Sequence, residues 1–271
     1  MTDPWQPGDV RTKQVAEAGK ATPAYVYAYW LGGKDNYAAD RAVGDAVARE
    51  HPGIVAAVKA NRTYMVDIVA YMARTGIRQF LDIGAGLPIS PNVHDVAQRV
   101  DPSCRVVYVD NDPVVLTHGR ALMRAGGVHM LDGDMTRPGD ILDQVEAQGL
   151  LDLTRPVGLL LIAALHFVTD DPTKPDDPTA SQIVHALTAR LAPGSLVAIS
   201  HTWDDEGPLG EAVRAAVEEY STAAVPFRAR TTAEIEALFD GLDPVAGLHQ
   251  LTHKGRPVTV LASLARVCER P

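Results

Sequence analysis

Three acidic residues and a glycine-spaced turn are the groups in this sequence best placed to hold a ligand. Asp82, Gly84 and Gly86 fall in the run Gln79-Phe80-Leu81-Asp82-Ile83-Gly84-Ala85-Gly86-Leu87-Pro88, an apolar strand that leads into a turn and then a helix. Glycines at such a turn let the backbone bend sharply and let a ligand approach without meeting a Cβ. Asp110 closes the next apolar run, Arg105–Asp110, at the separation where a carboxylate can accept hydrogen bonds from both hydroxyls of a ribose. Asn111 and Asp112 follow it, and Asp112, just before Pro113, is expected to cap the next helix. Beyond the third run, in Asp132-Gly133-Asp134-Met135, either acid can accept from the exocyclic amine of a base while Met135 packs on its ring. A solvated turn is the alternative there. Three acids at the ends of three consecutive strands are much harder to explain by chance than any one of them.

The neighbours of the turn narrow the ligand. A dinucleotide fingerprint wants a third glycine or alanine three residues after Gly86, and this chain has Ile89 there behind Pro88. Asp82 would repel a pyrophosphate and suits a ligand with an ammonium or a sulfonium close by. Ala163, ending the fourth run, lies at the same edge. Groups that can move a proton are sparser. His166, just past the fourth run, is the first candidate for a general base, and His201, at the end of the fifth, is the second. The alternative for His166 is a structural histidine that orders the Leu165–Val168 turn. His94 can cap or pack beside the glycine turn. His185, His249 and His253 show no paired spacing, and Cys104 and Cys268 lie far apart, so no metal site is expected.

Positioning these groups requires a sheet whose strand ends meet. Short apolar runs at Gln79–Ile83, Arg105–Asp110, Gly127–Leu131, Val157–Ala163, Leu196–His201, Asp243–His249 and Val258–Ala265 read as strands. Helical patterns near 92–100, 113–125, 138–148, 178–191, 206–224 and 232–240 separate them. The alternation predicts an α/β fold with a parallel sheet covered on both faces, and the short link at Lys254-Gly255 predicts an antiparallel last hairpin. Ahead of the sheet, Pro23–Leu31, Tyr37–Glu50 and Ile54–Arg74 read as helices, the first ended by Gly32-Gly33. The expected organisation is a flexible arm at 1–20, a helical cap at 21–76 and the sheet domain at 77–271.

Composition removes several classes of function. With 34 acidic against 25 basic residues the net charge is −9, which opposes binding to nucleic acid through its phosphates. The first residues carry no signal-peptide core, and the longest apolar stretch, Val157–Leu165, is too short to span a bilayer. With only two cysteines, a cytoplasmic location is expected, and no membrane contact. Oligomeric state is not set by any pattern in the chain.

The same residues resemble a class I S-adenosylmethionine-dependent methyltransferase. More narrowly the chain resembles the actinobacterial S-adenosyl methyltransferase family formerly described as a domain of unknown function. The matching segments are Leu31-Gly-Gly-Lys-Asp-Asn-Tyr-Ala-Ala-Asp-Arg41, Gln79-Phe-Leu-Asp-Ile-Gly-Ala-Gly-Leu-Pro88, Pro91-Asn-Val-His94, Val107-Tyr-Val-Asp-Asn-Asp-Pro113, Leu165-His-Phe-Val168 and Leu191-Ala-Pro-Gly194. The family pattern favours Arg and Asp around the first helix, where this chain has Tyr25 and Ala28, and Gln where it has Ser90.

The resemblance implies a seven-stranded, mostly parallel Rossmann-like sheet with S-adenosylmethionine as cofactor. It implies Gly84 and Gly86 in the cofactor loop, Asp110 on the ribose, Asp134 and Met135 at adenine, and a turn bearing Gly33, Lys34 and Asn36 over the methionyl end. Asp82, Asn111 and Ala163 complete the expected cofactor set, and Lys34 or Arg62 can pair with the cofactor carboxylate, with a solvated helix face as the favoured alternative for Arg62. A small-molecule acceptor is expected, with Tyr25, Tyr27, Tyr29, Trp30 and Tyr37 either packing or lining its pocket. Two other readings stand beside this one: a protein that senses the cofactor without transferring methyl, and a nicotinamide-dependent oxidoreductase, which Ile89 opposes.

Overall fold

The computed structural model describes residues 21–122, 125–223 and 225–269. The arm expected at 1–20 lies outside the described residues. Five parallel strands form the centre: β1 (Gln79–Ile83), β2 (Arg105–Asp110), β3 (Val128–Asp132), β4 (Gly158–Ile162) and β5 (Leu196–Thr202). They are followed by β6 (Leu242–His253) and β7 (Arg256–Val267), and the order across the sheet is β3-β2-β1-β4-β5-β7-β6. β7 runs antiparallel to both β5 and β6, as the short link predicts. That link is two residues long, with Lys254 at φ +51° and Gly255 at φ +74°. Two positive φ values in succession match the twist of paired antiparallel strands. The hairpin therefore runs tighter and longer than the expected Asp243–His249 and Val258–Ala265.

Alternation along the strands sorts the core into two layers. Leu81, Ile83, Val107, Val109, Leu159 and Leu161 face one side with α6 (Pro138–Ala147) and α7 (Ala180–Thr188). Phe80, Val106, Tyr108 and Leu160 face the other, beneath α3 (Ile54–Arg74) and α4 (Val93–Val100). Burial of both faces explains why the central strands read as continuous apolar runs. Some helices are shorter than their patterns. α7 begins only after Thr179, whose hydroxyl caps the amide of Gln182. α8 (Pro208–Thr222) begins at a proline, which suits the first helical position. α9 (Thr232–Glu236) gives way to a 3₁₀ turn at Ala237–Phe239 instead of continuing to 240.

Ahead of the sheet, α1 (Pro23–Trp30) and α2 (Ala38–Glu50) pack with the first half of α3 and with α8. α1 ends at Gly32, φ +84°, where a glycine accepts the left-handed conformation. Buried Asp40 ties the two helix starts together by accepting from the amides of Thr22 (3.0 Å) and Tyr37 (2.8 Å). The second half of α3 lies on the sheet itself through Met65, Val69 and Met72. α3 thus joins one face of the sheet to the N-terminal helices and fixes them against the strand ends. No helix among the described residues is long and apolar enough to cross a membrane.

Candidate cofactor site

β2 and β3 lie to one side of β1, and β4 and β5 to the other, so the strand order reverses beside β1. Ligands of open parallel sheets bind at that reversal, outside the carboxyl ends of the strands. A cavity of about 460 Å³ sits there. Its size falls in the range of roughly 300–1,000 Å³ typical of small-molecule sites. Asp82, Gly84, Gly86, Asp110, Asn111, Asp134, Met135 and Ala163 all line it.

The turn after β1 follows from its two glycines, at φ +77° for Gly84 and +65° for Gly86. A Cβ on Gly84 would lie 2.8 Å from that of Ala164, whereas one on Gly86 would meet nothing within 4 Å. The first glycine is thus needed for close packing, and the second opens onto the cavity. Asp110 stabilises the turn from β2. Its Oδ2 accepts from the Gly86 amide (2.9 Å) and its Oδ1 from the Asp112 amide (3.0 Å). Asp112 in turn accepts from Val114 N (2.8 Å), the capping bond expected of it. Asp134 accepts from both the amide (2.9 Å) and the hydroxyl (2.8 Å) of Thr136, which holds the Met135 segment in a tight turn.

Burial sets the charge state of this edge. It pushes Asp82 up from 3.8 to about 7, against the opposing pull of Arg62 and with a smaller push from Asp110. Asp110 is also raised by burial, held back by the amides of Asp112 and Gly86. Arg62 reaches in from α3, donating to Pro91 O (2.6 Å) and to Ile89 O, while its Nε is buried without a hydrogen-bond partner among the described residues. A carboxylate poised near neutrality and a guanidinium with an unused donor fit the ammonium and carboxylate of an amino-acid moiety. With the acids at the ends of β2 and β3, the residues present fit S-adenosylmethionine.

Gly33, Lys34 and Asn36 do not line the cavity, which revises the expected cover over the methionyl end. The turn folds back on its own helix, with Gly33 N donating to Ala28 O (2.8 Å) and Asn36 Nδ2 to Gly33 O (2.7 Å). Lys34 is exposed. The N-terminal residues that do face the cavity include Pro23, Tyr27, Asn61 and Met65. Asn61 had a signal in the sequence, as a polar residue inside the apolar repeat of α3. Val225 and Pro226, also on the wall, had none.

A second cavity of about 60 Å³ adjoins the first and shares Pro23, Tyr27, Asn61, Ala163 and Phe167 with it. His166 and His201 both line this smaller space and not the larger one. They differ in what their rings can do. Arg230 Nη1 donates to His201 Nε2 (2.7 Å), so Nδ1 carries the ring proton and donates to Thr202 O (2.8 Å). With both nitrogens committed, and its basicity pushed down to about 3 by burial and then by Arg230, His201 has no free site for a proton. His201 therefore holds position and is corrected from base to support. His166 Nδ1 is buried with no hydrogen-bond partner among the described residues. Ala163, on the shared wall, sits at φ +54° and is held there by bonds from its amide to Ser200 Oγ (3.0 Å) and Ser200 O (3.2 Å). No cluster of three metal-ligating side chains occurs among the described residues.

Comparison with known proteins agrees with this geometry. A family model described as S-adenosyl methyltransferase matches residues 10–258. The chain is similar to the crystal structure of a DUF574 family protein from Streptomyces avermitilis, with 40% identity, coverage of 93% of this chain and 99% of that one, and a TM-score of 0.84. It is also similar to a proposed methyltransferase from Thermobifida fusca, with 33% identity, 98% and 100% coverage, and a TM-score of 0.83. At 17% identity and a TM-score of 0.50, the 1,6-didemethyltoxoflavin-N1-methyltransferase of Burkholderia thailandensis shares the fold, over 99% of this chain and 94% of that one. No curated protein matches the chain. A family model that runs through the N-terminal helices, the glycine turn and every parallel strand settles the assignment: this chain belongs to the S-adenosyl methyltransferase family and uses S-adenosylmethionine as its cofactor.

Proposed function

We propose that this protein methylates a small molecule admitted between the N-terminal helices and the ends of β4 and β5. Residues 21–76 act as the cap and 77–271 as the methyltransferase domain, working in the cytoplasm. The observation that carries the reading is the second cavity, which shares five wall residues with the cofactor cavity. A reacting group placed there lies beside the cofactor cavity, against a wall rich in apolar and aromatic side chains.

When bound, the cofactor supplies a methyl group on an already activated sulfonium. The protein's task is then to align and to exclude water, an effect worth roughly 7–11 kcal/mol when the geometry is right. Asp110 receives the ribose hydroxyls, and Met135 packs on adenine with Asp134 beside it. Asn111 would border the ribose, and Ala163 lies on the wall that the two cavities share. Gly84 and Gly86 admit the methionyl chain, whose ammonium faces Asp82 and whose carboxylate faces Arg62. Tyr27 and Asn61 close the same space from above.

Calorimetric titration with S-adenosylhomocysteine tests the cofactor part, and absence of saturable binding would sink it. Incubation with methyl-labelled cofactor and a metabolite extract tests the rest. Label in the small-molecule fraction is the expected result. Label confined to protein or nucleic acid would overturn the small-molecule acceptor, and binding with no labelled product at all would favour a cofactor sensor.

A further inference from the structure

We propose that the 60 Å³ niche is the subsite for the acceptor's reacting end, and that it takes one edge of an uncharged aromatic ring bearing an N–H or O–H. The inference rests on the methyltransferase reading above and adds the class of acceptor to it.

The lining of the niche contains no Asp, Glu, Lys or Arg. An ionic acceptor would lose its hydration there with no counter-charge in return, which strongly disfavours it. Seven of the lining residues carry flat rings: Tyr27, Trp30, Tyr220, Phe167, Phe227 and the imidazoles of His166 and His201. Tyr220 and Phe227 stack at 4.7 Å with planes 4° apart, and Phe227 continues to His166 at 4.6 Å. His166 meets Phe167 edge-on at 4.5 Å. A flat ring slid against such a wall makes the offset contacts that aromatic pairs prefer.

Hydrogen bonding narrows the partners for the incoming group to His166 and the hydroxyls of Tyr220 and Thr202, none of which is paired among the described residues. Asn61 donates to the Tyr27 hydroxyl (3.0 Å) and accepts from Ser200 Oγ (2.5 Å), and Thr259 is paired with His51 (2.8 Å). His201 is tied to Arg230 and Thr202. His166 alone among these has a ring nitrogen that is buried and unpartnered among the described residues. A bound N–H or O–H supplies what that ring lacks. Burial, His201 and Arg230 together depress the basicity of His166, so the ring is a neutral acceptor. In the transfer, the acceptor's lone pair bonds to the methyl carbon while the carbon–sulfur pair stays on sulfur. The acceptor's proton is released to water once the methyl is in place, and His166 only orients the N–H or O–H as a neutral hydrogen-bond acceptor.

Size limits the acceptor further. A cavity that holds a whole benzene ring measures about 150 Å³, so only a ring edge enters the niche. The body of the ring lies across the wall shared with the cofactor cavity. Bulky substituents beside the reacting atom are excluded.

The test uses the full chain saturated with S-adenosylhomocysteine, where no turnover occurs, and calorimetry with phenol, pyrazole, benzoate and cyclohexylamine. Phenol and pyrazole should bind at least about tenfold tighter than the anion and the cation. Val260→Phe fills the niche and should remove phenol binding, with cofactor-product affinity held within about twofold. His166→Phe should weaken phenol about tenfold, the loss of one buried hydrogen bond. With methyl-labelled cofactor, label should enter neutral rings and not charged ones. Equal or tighter binding of benzoate or cyclohexylamine overturns the proposal, as does failure of every neutral ring to bind a complex that does hold S-adenosylhomocysteine. Failure of the wild-type chain to bind S-adenosylhomocysteine strikes the underlying methyltransferase reading instead. Should either variant fail to fold, the four-probe comparison on the wild type decides alone.

Discussion

The two adjoining cavities are built on opposite principles. The larger is edged by acids and backbone amides from consecutive strand ends, and the smaller is walled by aromatic rings with no charged side chain. Burial acts on both, and in opposite directions on their titratable groups. It raises Asp82 and Asp110 at the cofactor edge and lowers His166 and His201 in the niche. In each case the neutral form is favoured. The difference is that the cofactor can bring an opposite charge to the acids, whereas nothing in the niche would balance a charged acceptor. One chain thus presents a site that becomes ionic on binding beside one that stays neutral.

The sharpest way to break this comparison is at the support of the niche. Arg230 is 2% exposed and donates to Asp170 (2.6 Å), His201, Leu165 O and Val168 O. Asp170→Ala leaves that guanidinium buried without its carboxylate and should cost about 3–5 kcal/mol in urea denaturation. A loss near zero would show that the niche is not held by this pair. Next comes Gly84→Val, which adds a Cβ 2.8 Å from Ala164 at a positive φ. It should weaken S-adenosylhomocysteine by about a hundredfold or more in calorimetry. Asp110→Ala removes the acceptor for two amides, together with the proposed ribose contact, and should weaken binding about thirtyfold.

A pH titration sharpens the contrast at smaller cost to the molecule. The ammonium of the cofactor favours ionised Asp82, so S-adenosylhomocysteine affinity should rise toward a plateau as pH passes through about 7. The slope below that value should be at most about tenfold per pH unit, and Asp82→Asn should flatten it. Folding responds the other way. The native state retains on Asp82 a proton that the unfolded chain gives up near 3.8, so this contribution is full below that pH and fades as pH rises through about 7. Parallel pH trends for binding and stability would contradict the burial of Asp82. The smallest effect expected is that of Tyr27→Phe, which deletes the partner of Asn61 Nδ2 and should cost about 1 kcal/mol in thermal unfolding.

Legibility in the sequence followed the range of the interactions. β1 and β2 can be read residue for residue because their apolar runs and the flanking glycines and acids are local marks. The same holds for α3, whose repeat ends at Gly76. The turn of Gly33, Lys34 and Asn36 could not be placed, since its position depends on how α1 and α2 dock, and that packing leaves no mark within the turn. His201 looked like a base from its place at a strand end. Arg230, twenty-nine positions on, removes that role by taking the ring's lone pair. Arg62 was the harder case, because a solvated helix face and a cavity wall look alike until the partner surface is known.

Taken alone, the order of residues decides the strands, the bend at Gly84, the cap at Asp112 and the acids at the strand ends. Each depends on backbone conformation or on hydrogen bonds that span a few positions. Tertiary structure alone decides which face of α1 and α3 covers those ends, which histidine is tied down, and that a ring-lined niche lies next to the cofactor edge. These follow from contacts between segments up to two hundred or so residues apart, such as His51 with Thr259. Closing loops of that length has no local signature, because its cost is met by the packing of the whole core and not by any one stretch of chain.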